Sequence, residues 1–175
     1  MLRKTVVGAI LLLVILTVVA CASPDSTPAS TATQEATPNP KPSGPIKATW
    51  IETQADGDTV YTPVSEVEDN WNTNFKLDTQ GGSINFMAYV VDGEIFVRSN
   101  VCPPCGSVGF SLDDDILICD RCATTFKAKT GDGIKGACVD FPKASVPYEI
   151  TDGDIVMSTD DLLAAHENTI KPGWP

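Results

Sequence analysis

The chain has 175 residues, with 23 acidic and 12 basic side chains, one histidine and six cysteines. A chain of this length accommodates one ordinary domain with appendages. The formal net charge of −11 argues against nucleic acid as a partner, because phosphate binding needs a basic face, and against attraction to anionic lipid headgroups. A single histidine, His166, gives little basis for a hydrolytic triad or a histidine-ligated metal. The distinctive chemistry that remains is that of sulfur.

Residues 1–20 have the pattern of an export signal. Arg3 and Lys4 precede an apolar run of 15 residues from Val6 to Ala20, which is shorter than the roughly 20 residues of a spanning helix. The run ends directly before Cys21, as in bacterial lipoprotein signals, where this cysteine receives the lipid and becomes the mature N-terminus. An uncleaved anchor helix is the alternative. Both interpretations predict an extracytoplasmic protein held at the cell membrane, through lipid on Cys21 in the first.

The composition divides the remaining chain into three segments. Residues 21–47 are rich in Pro, Ser and Thr and offer little to bury, which predicts a disordered, partly extended tether. The folded domain is predicted over residues 48–159, followed by a C-terminal helix and tail over residues 160–175. A domain of this size buries one modest core, and a metal site would add to its stability.

The pattern of the domain is that of an all-β protein. Apolar residues alternate along 84–91, and Asp92-Gly93 then leads into the apolar segment 94–98, which predicts a β-hairpin. Two further hairpins are predicted, from 108–112 to 116–118 and from 146–151 to 154–157.

Two earlier strands are predicted near Val60–Thr62 and Phe75–Leu77. Only Thr159–Glu167 has a helical pattern, with Ser158 or Thr159 as its cap. The expected fold is therefore a small sandwich or barrel of hairpins with a short C-terminal helix.

Four of the cysteines form two pairs with the same internal spacing. Cys102-Pro103-Pro104-Cys105 and Cys119-Asp120-Arg121-Cys122 are separated by thirteen residues, and the intervening hairpin brings them together. Each pair can present two thiolates to one ion, and four-sulfur sites hold zinc, iron or iron–sulfur clusters. Gly106 follows the first pair, where it eases the backbone turn. Ala123 follows the second, whose geometry is therefore less certain.

Several chemistries share this pattern. The alternatives are two structural disulfides in an exported domain, thiol–disulfide exchange at Cys102 and Cys105, a structural zinc site, and a redox-active iron centre. Disulfides between adjacent cysteines are strained, and exchange sites usually begin a helix, which is not expected here. Cys138 is either a fifth or substitute ligand or a buried free thiol. His166 is expected to face solvent.

The region from Val60 to Met157 resembles the cysteine-rich domain of FtrD-like membrane iron–sulfur proteins. The resemblance implies iron or iron–sulfur binding by Cys102, Cys105, Cys119 and Cys122, and a redox or iron-transport partner in the membrane. It also implies an electron-transfer or iron-handling role outside the cytoplasm, linked to iron transport. The matching stretches are 60–67, 85–91, 94–97, both cysteine pairs, Ile134-Lys135-Gly136-Ala137-Cys138 and 146–150.

The arrangement of two ligand loops on hairpins has a fainter resemblance to Rieske domains. It implies a Rieske-like β fold in which cysteines replace the two histidine ligands. Four thiolates carry more negative charge than two thiolates and two imidazoles, so a cluster here is expected to have a lower potential.

The leading hypothesis is a lipid-anchored, extracytoplasmic iron–sulfur protein that transfers electrons. The alternative is a non-enzymatic binding module in which four cysteines hold a structural zinc. The sequence contains no catalytic motif, so a redox role is favoured over substrate turnover.

Overall fold

The structure is a computed structural model, and it describes residues 39–173. The predicted signal, Cys21 and most of the predicted tether lie outside the described residues. Within the described region, no helix is long and apolar enough to cross a membrane. In chain order the elements are β1 (Thr49–Trp50), β2 (Gln54–Asp56), β3 (Thr59–Pro63), α1 (Val64–Asn70), β4 (Asn72–Thr79), β5 (Gly82–Val91), β6 (Glu94–Ser99), β7 (Phe110–Asp113), β8 (Ile116–Cys119), β9 (Thr125–Lys127), β10 (Gly133–Lys135), β11 (Glu149–Thr151), β12 (Asp154–Ser158) and α2 (Thr159–Thr169).

The strands form three four-stranded sheets. The central sheet has the order β1-β4-β5-β6, the cysteine sheet β10-β9-β8-β7 and the terminal sheet β11-β12-β3-β2. All neighbouring strands are antiparallel except β1, which runs parallel to β4. The prediction of an all-β fold is confirmed, and the sheets are layered and open rather than closed into a barrel.

Strand β5 connects the two hydrophobic cores of the domain. One face of the strand, which includes Phe86 and Ala88, packs in a first core with the terminal sheet and both helices. The other face, which includes Met87 and Tyr89, packs in a second core with the cysteine sheet and the cysteines themselves. Because side chains alternate along a strand, one strand buried on both faces fixes the cysteine sheet against the rest of the fold.

The three predicted hairpins are all present. They join β5 to β6, β7 to β8 and β11 to β12. In the first, Asp92 and Gly93 have φ values of 52° and 79°, and in the third Asp152 and Gly153 have 54° and 87°. Left-handed conformations at both central residues are what a tight two-residue hairpin turn requires, and Asp-Gly meets that requirement at low cost.

The predicted C-terminal helix is confirmed, whereas α1 was not predicted. Ser158 caps α2 by accepting a hydrogen bond from the Asp161 amide at 3.1 Å. Helix α1 has seven residues, of which only Val67 is buried, and its N-cap, Pro63, makes no side-chain hydrogen bond. It therefore has neither the apolar stripe nor the cap by which a helix is recognised in a sequence.

The folded region begins before residue 48, where the sequence places the end of the tether. Ile46 is buried, with only 9% of its surface exposed. Its amide donates to the Leu112 carbonyl at 2.7 Å and its carbonyl accepts from the Leu112 amide at 2.9 Å. The buried Asn72 amide group also donates to the Ile46 carbonyl, at 2.8 Å. One apolar residue within a polar segment is thus enough to attach that segment to β7.

We expect a chain that begins at residue 48 to be less stable than one that begins at residue 39. Removing Ile46 loses about 1.5–3 kcal/mol of apolar burial and leaves Leu112 without its two backbone partners. The measurement is the free energy of unfolding in urea. A chain that begins at residue 44 is the control, because it lacks only exposed residues, one surface ion pair, Lys41–Asp114, and one exposed hydrogen bond, Asn39–Asp69, and such surface contacts contribute little. Equal stability of all three chains would contradict a structural role for Ile46.

Candidate metal centre

Three loops bring five cysteines into the second core. Cys102 and Cys105 lie between β6 and β7, Cys119 ends β8 and is followed by Cys122, and Cys138 follows β10. The Cys102 amide donates to the Ser107 carbonyl at 2.8 Å, which closes the first loop. All five cysteines are free thiols in the structure.

The two cysteine pairs have the same local turn. The Gly106 amide donates to the Cys102 carbonyl at 2.8 Å, and the Ala123 amide donates to the Cys119 carbonyl at 2.9 Å. Both residues are left-handed, with φ values of 67° for Gly106 and 54° for Ala123. The second turn therefore forms without glycine, although an alanine in this conformation is strained by about 1–2 kcal/mol.

The sulfur atoms form one compact group. The Sγ atoms of Cys102, Cys105, Cys122 and Cys138 all lie within 4.8 Å of one another. Cys119 Sγ lies 3.7 Å from Cys105 Sγ, and Cys122 Sγ lies 3.7 Å from Cys138 Sγ. The predicted set of Cys102, Cys105, Cys119 and Cys122 is thus brought together, but Cys138, which the sequence left open, takes the place of Cys119 in the closest group of four.

The group has a buried side and an exposed side. Cys102, Cys119 and Cys138 are 0%, 1% and 2% exposed, whereas Cys105 and Cys122 are half-buried. Cys105 and Cys122 therefore mark the side of the group that is nearer to solvent.

Thr124 joins the second cysteine pair to the loop that carries Cys138. Its hydroxyl oxygen lies 3.2 Å from Cys122 Sγ and accepts a hydrogen bond from the Cys138 amide, also at 3.2 Å. Gly136 passes so close that a Cβ atom there would lie 2.5 Å from this oxygen, and its φ is 125°. The glycine of the Lys-Gly-x-Cys segment is therefore needed for Cys138 to reach the group.

The thiols differ in how readily they ionise. Burial acts to raise the pKa of Cys122, but hydrogen bonds from Thr124, Cys119 and Cys105 together lower this pKa to about 6. Burial raises the pKa of Cys102, and the Cys105 and Cys138 thiols add to this effect. Burial also raises the pKa of Cys119. Of these three thiols, Cys122, on the more exposed side of the group, therefore ionises most readily.

Two buried cationic residues that contact the second core were not predicted. Arg98 is 4% exposed and donates to the carbonyls of Ala128, Lys129 and Lys143 and to the Tyr89 hydroxyl. Lys143 is 1% exposed, and its ammonium donates to the Val101 carbonyl at 2.8 Å. A basic residue at the end of an apolar strand is the only sequence signal for Arg98, and Lys143 has none.

His166 does not face solvent as expected. It is half-buried in α2, its Nδ1 atom has no hydrogen-bond partner, and burial lowers its pKa. It is not part of the four-thiol group.

Neither helix of the described region follows a cysteine pair. The helix typical of thiol–disulfide exchange sites therefore does not follow Cys105.

A layered β domain with cysteines converging from three loops is a small metal-binding domain in class. Residues 67–168 match the family described as membrane iron-sulfur containing protein FtrD-like. The match covers more than half of the chain, and the chain therefore belongs to this family, as the resemblance implied. The family and the four-thiol group together support the predicted iron–sulfur cofactor.

Two solved structures are similar to parts of the chain. One belongs to the complex of reduced oxygenase and oxidized ferredoxin in carbazole 1,9a-dioxygenase, with a TM-score of 0.46 and 16% identity over 57% of this chain and 93% of that chain. The other is the ferredoxin of Sphingomonas yanoikuyae B1, with a TM-score of 0.40 and 26% identity over 47% of this chain and 83% of that chain. No curated protein matches the sequence.

Replacing Ala123 by glycine is expected to stabilise the metal-free chain. Ala123 is exposed and left-handed, so glycine relieves strain and loses no packing, and we expect a gain of about 0.5–1 kcal/mol. The measurement is the urea midpoint. Ala137→Gly is the matched control, because Ala137 is exposed but does not have a positive φ; its midpoint should stay level or fall. A fall in both variants would contradict the strained turn.

Replacing Thr124 by valine is expected to raise the pKa of Cys122. Valine fills the same volume but cannot hydrogen-bond the Cys122 thiolate, so the thiolate loses a stabilising partner. In metal-free wild type, Cys122 should be alkylated by iodoacetamide ahead of the other cysteines, with a rate that falls as the pH drops through about 6. In the variant this rate should fall at a higher pH, as followed by peptide mass spectrometry. An unchanged pH profile would show that the Thr124 hydroxyl does not lower the pKa of Cys122.

Proposed function

We propose that this chain is a lipid-anchored, extracytoplasmic iron–sulfur protein that transfers electrons by an outer-sphere route in the service of iron handling. The single observation that carries the proposal is the compact group of thiols, with Cys105 and Cys122 reaching the surface. Membership in a family of membrane iron–sulfur proteins supports it.

The residues fit an iron centre by their chemistry. Thiolates are the ligands that iron, iron–sulfur clusters and zinc share, and the four closest sulfur atoms come from three loops that the fold holds in place. Cys102, Cys105 and Cys122 would hold the centre together with Cys138 or Cys119. When bound, such a centre would supply a site that accepts and returns one electron at a time.

The exposure of the thiols supports electron transfer to a partner protein. Outer-sphere transfer needs a short path from the centre to the surface, and Cys105 and Cys122 offer one because both are half-buried. The buried cysteines would anchor the centre from the opposite side. No substrate has to enter the group for this function.

Lipid on Cys21 and a tether over residues 22–45 would hold the domain at the outer face of the cell membrane. The export-like sequence of residues 1–20 supports this arrangement, as does the description of the family as membrane proteins. The redox or iron-transport partner would then lie in or near the same membrane.

One observation favours a second candidate, a single ion in a structural four-cysteine site. Metal–sulfur bonds of about 2.3 Å in a tetrahedron place the sulfur atoms about 3.8 Å apart. The separation of 3.7 Å between Cys122 and Cys138, two members of the closest group of four, matches this value. A zinc ion held in this way would close the fold and carry no electrons.

Metal analysis distinguishes the two candidates. The chain from residue 22 onward is purified without oxygen and assayed for iron, zinc and acid-labile sulfide, and its visible spectrum is recorded before and after dithionite. We expect iron, sulfide and a visible absorption that is partly lost on reduction. One zinc per chain, with no sulfide and no colour, would overturn the electron-transfer proposal and support the structural site.

Serine variants of the individual cysteines test which thiols bind. We expect Cys138→Ser to lose more metal than Cys119→Ser, because Cys138 belongs to the closest group of four. Cys102→Ser, Cys105→Ser and Cys122→Ser should each lose most of it. The measurement is bound metal per folded chain after anaerobic purification. Loss in Cys119→Ser with retention in Cys138→Ser would instead support the set predicted from the two cysteine pairs.

A further inference from the structure

Lys143 is a fully buried lysine beside the thiol group. Its side chain is 1% exposed, and its ammonium donates to the carbonyl of Val101, the residue before Cys102, at 2.8 Å. The same nitrogen lies 4.5 Å from the ring centroid of Phe126 and 5.3 Å from that of Phe110. The charge is thus enclosed by two aromatic faces of the second core and by the first cysteine loop.

No carboxylate accompanies this ammonium among the residues that the structure describes. The four ion pairs of that region involve other lysines, all of them partly or largely exposed. An unpaired charge in a protein interior is unfavourable by several kcal/mol unless another group compensates it. Burial lowers the pKa of Lys143 to about 8, and electrostatic interaction with Cys102, Cys119, Cys138 and Cys105 opposes this effect. Among the described residues, the cysteine sulfur atoms are therefore the groups that can compensate this ammonium.

The backbone of Lys143 is fixed from two sides. Its amide donates to the Gly131 carbonyl at 2.9 Å, and its carbonyl accepts from the Arg98 guanidinium at 2.8 Å. Gly131 has a φ of 83°, and a Cβ atom there would lie 2.1 Å from the Lys143 carbonyl oxygen. The fold therefore holds the Lys143 backbone in a defined position next to the second core.

We propose that Lys143 is a positioning residue whose buried ammonium supplies the counter-charge of the thiolate centre. The inference rests on the proposed function in one respect, namely that thiolates hold a metal. A fixed positive charge stabilises thiolates over thiols, which favours metal binding at neutral pH. It also stabilises the reduced form of an iron centre more than the oxidised form, because reduction adds negative charge. The lysine thus offsets part of the low potential expected of an all-thiolate centre.

The test compares neutral and charged substitutions in the full chain, purified in detergent. Lys143→Met and Lys143→Gln remove the charge, and Lys143→Arg keeps it. Lys135→Met is the matched control, because Lys135 is an exposed lysine of the segment that leads to Cys138. Two quantities are measured: the reduction potential of the iron-loaded chain, and the affinity of the metal-free chain for zinc at pH 7 in competition with a chromophoric chelator.

We expect both neutral variants to have a lower reduction potential than wild type and a zinc affinity weakened about tenfold or more. Lys143→Arg should stay close to wild type in both quantities, and Lys135→Met should change much less than the neutral variants. Wild-type values in a folded neutral variant would overturn the proposal. So would a neutral variant that stays unfolded with zinc while Lys143→Arg folds, because the charge would then serve the fold. A neutral variant that folds only when zinc is added would support it.

The zinc measurement separates this inference from the proposed function. If the chain binds zinc and no iron, the electron-transfer proposal fails, yet the zinc affinities still test Lys143. If iron is bound and the potentials do not differ, the function stands and the role of Lys143 fails.

Discussion

The close placement of five thiols in a buried core is the constraint on which the rest of the structure depends. Thiolates within hydrogen-bonding distance of one another, in a poorly solvated core, destabilise each other strongly. Two groups of the fold can stabilise thiolates: the Thr124 hydroxyl beside Cys122 and the enclosed ammonium of Lys143. A bound metal ion would complete this compensation, since it converts repelling thiolates into shared ligands.

The second core is shaped around the same requirement. Arg98, on β6, donates to the Tyr89 hydroxyl and to three carbonyls. Two of these belong to Ala128 and Lys129, which follow β9, and the third belongs to Lys143. Arg98 therefore fixes the loops of the cysteine sheet to the central sheet without touching sulfur. Within residues 39–173, neither Arg98 nor Lys143 forms an ion pair with a carboxylate, although the chain carries 23 acidic side chains.

The sequence predicts the hairpins well because their determinants are local. Asp92-Gly93 and Asp152-Gly153 supply the left-handed conformations that their turns require. The alternation of residues along β5 indicates a strand regardless of which face packs against which core. Helix α1 was not predicted, because a single buried valine, Val67, gives no helical periodicity of apolar residues. The tether was predicted to extend to residue 47, past the buried Ile46. The burial of Ile46 is not visible in the sequence because it depends on β7, more than sixty residues away.

The sequence predicts that cysteines form the candidate site. It does not show which cysteines lie closest together or which other side chains pack near them. Two pairs with equal spacing indicate a shared site, but spacing does not rank Cys119 against Cys138. Cys138 reaches the group through the approach of Gly136 to Thr124, a contact between separate loops. Lys143 and Arg98 are hidden for the same reason, because an isolated basic residue in a sequence is normally a solvated one, and only the packed fold shows these two to be enclosed.

The uneven exposure of the sulfur atoms bears on the choice between the two candidate functions. A structural zinc site gains nothing from sulfur at the surface, where competing ligands reach it, and closed sites of this kind need only hold their four ligands. A centre that exchanges electrons needs one side buried, to hold the metal and set its potential, and one side near a partner. The buried Cys102, Cys119 and Cys138 and the half-buried Cys105 and Cys122 divide along these lines. A lysine on the buried side, whose ammonium donates to the carbonyl of the residue before Cys102, would act on the potential without obstructing the side through which a partner would approach.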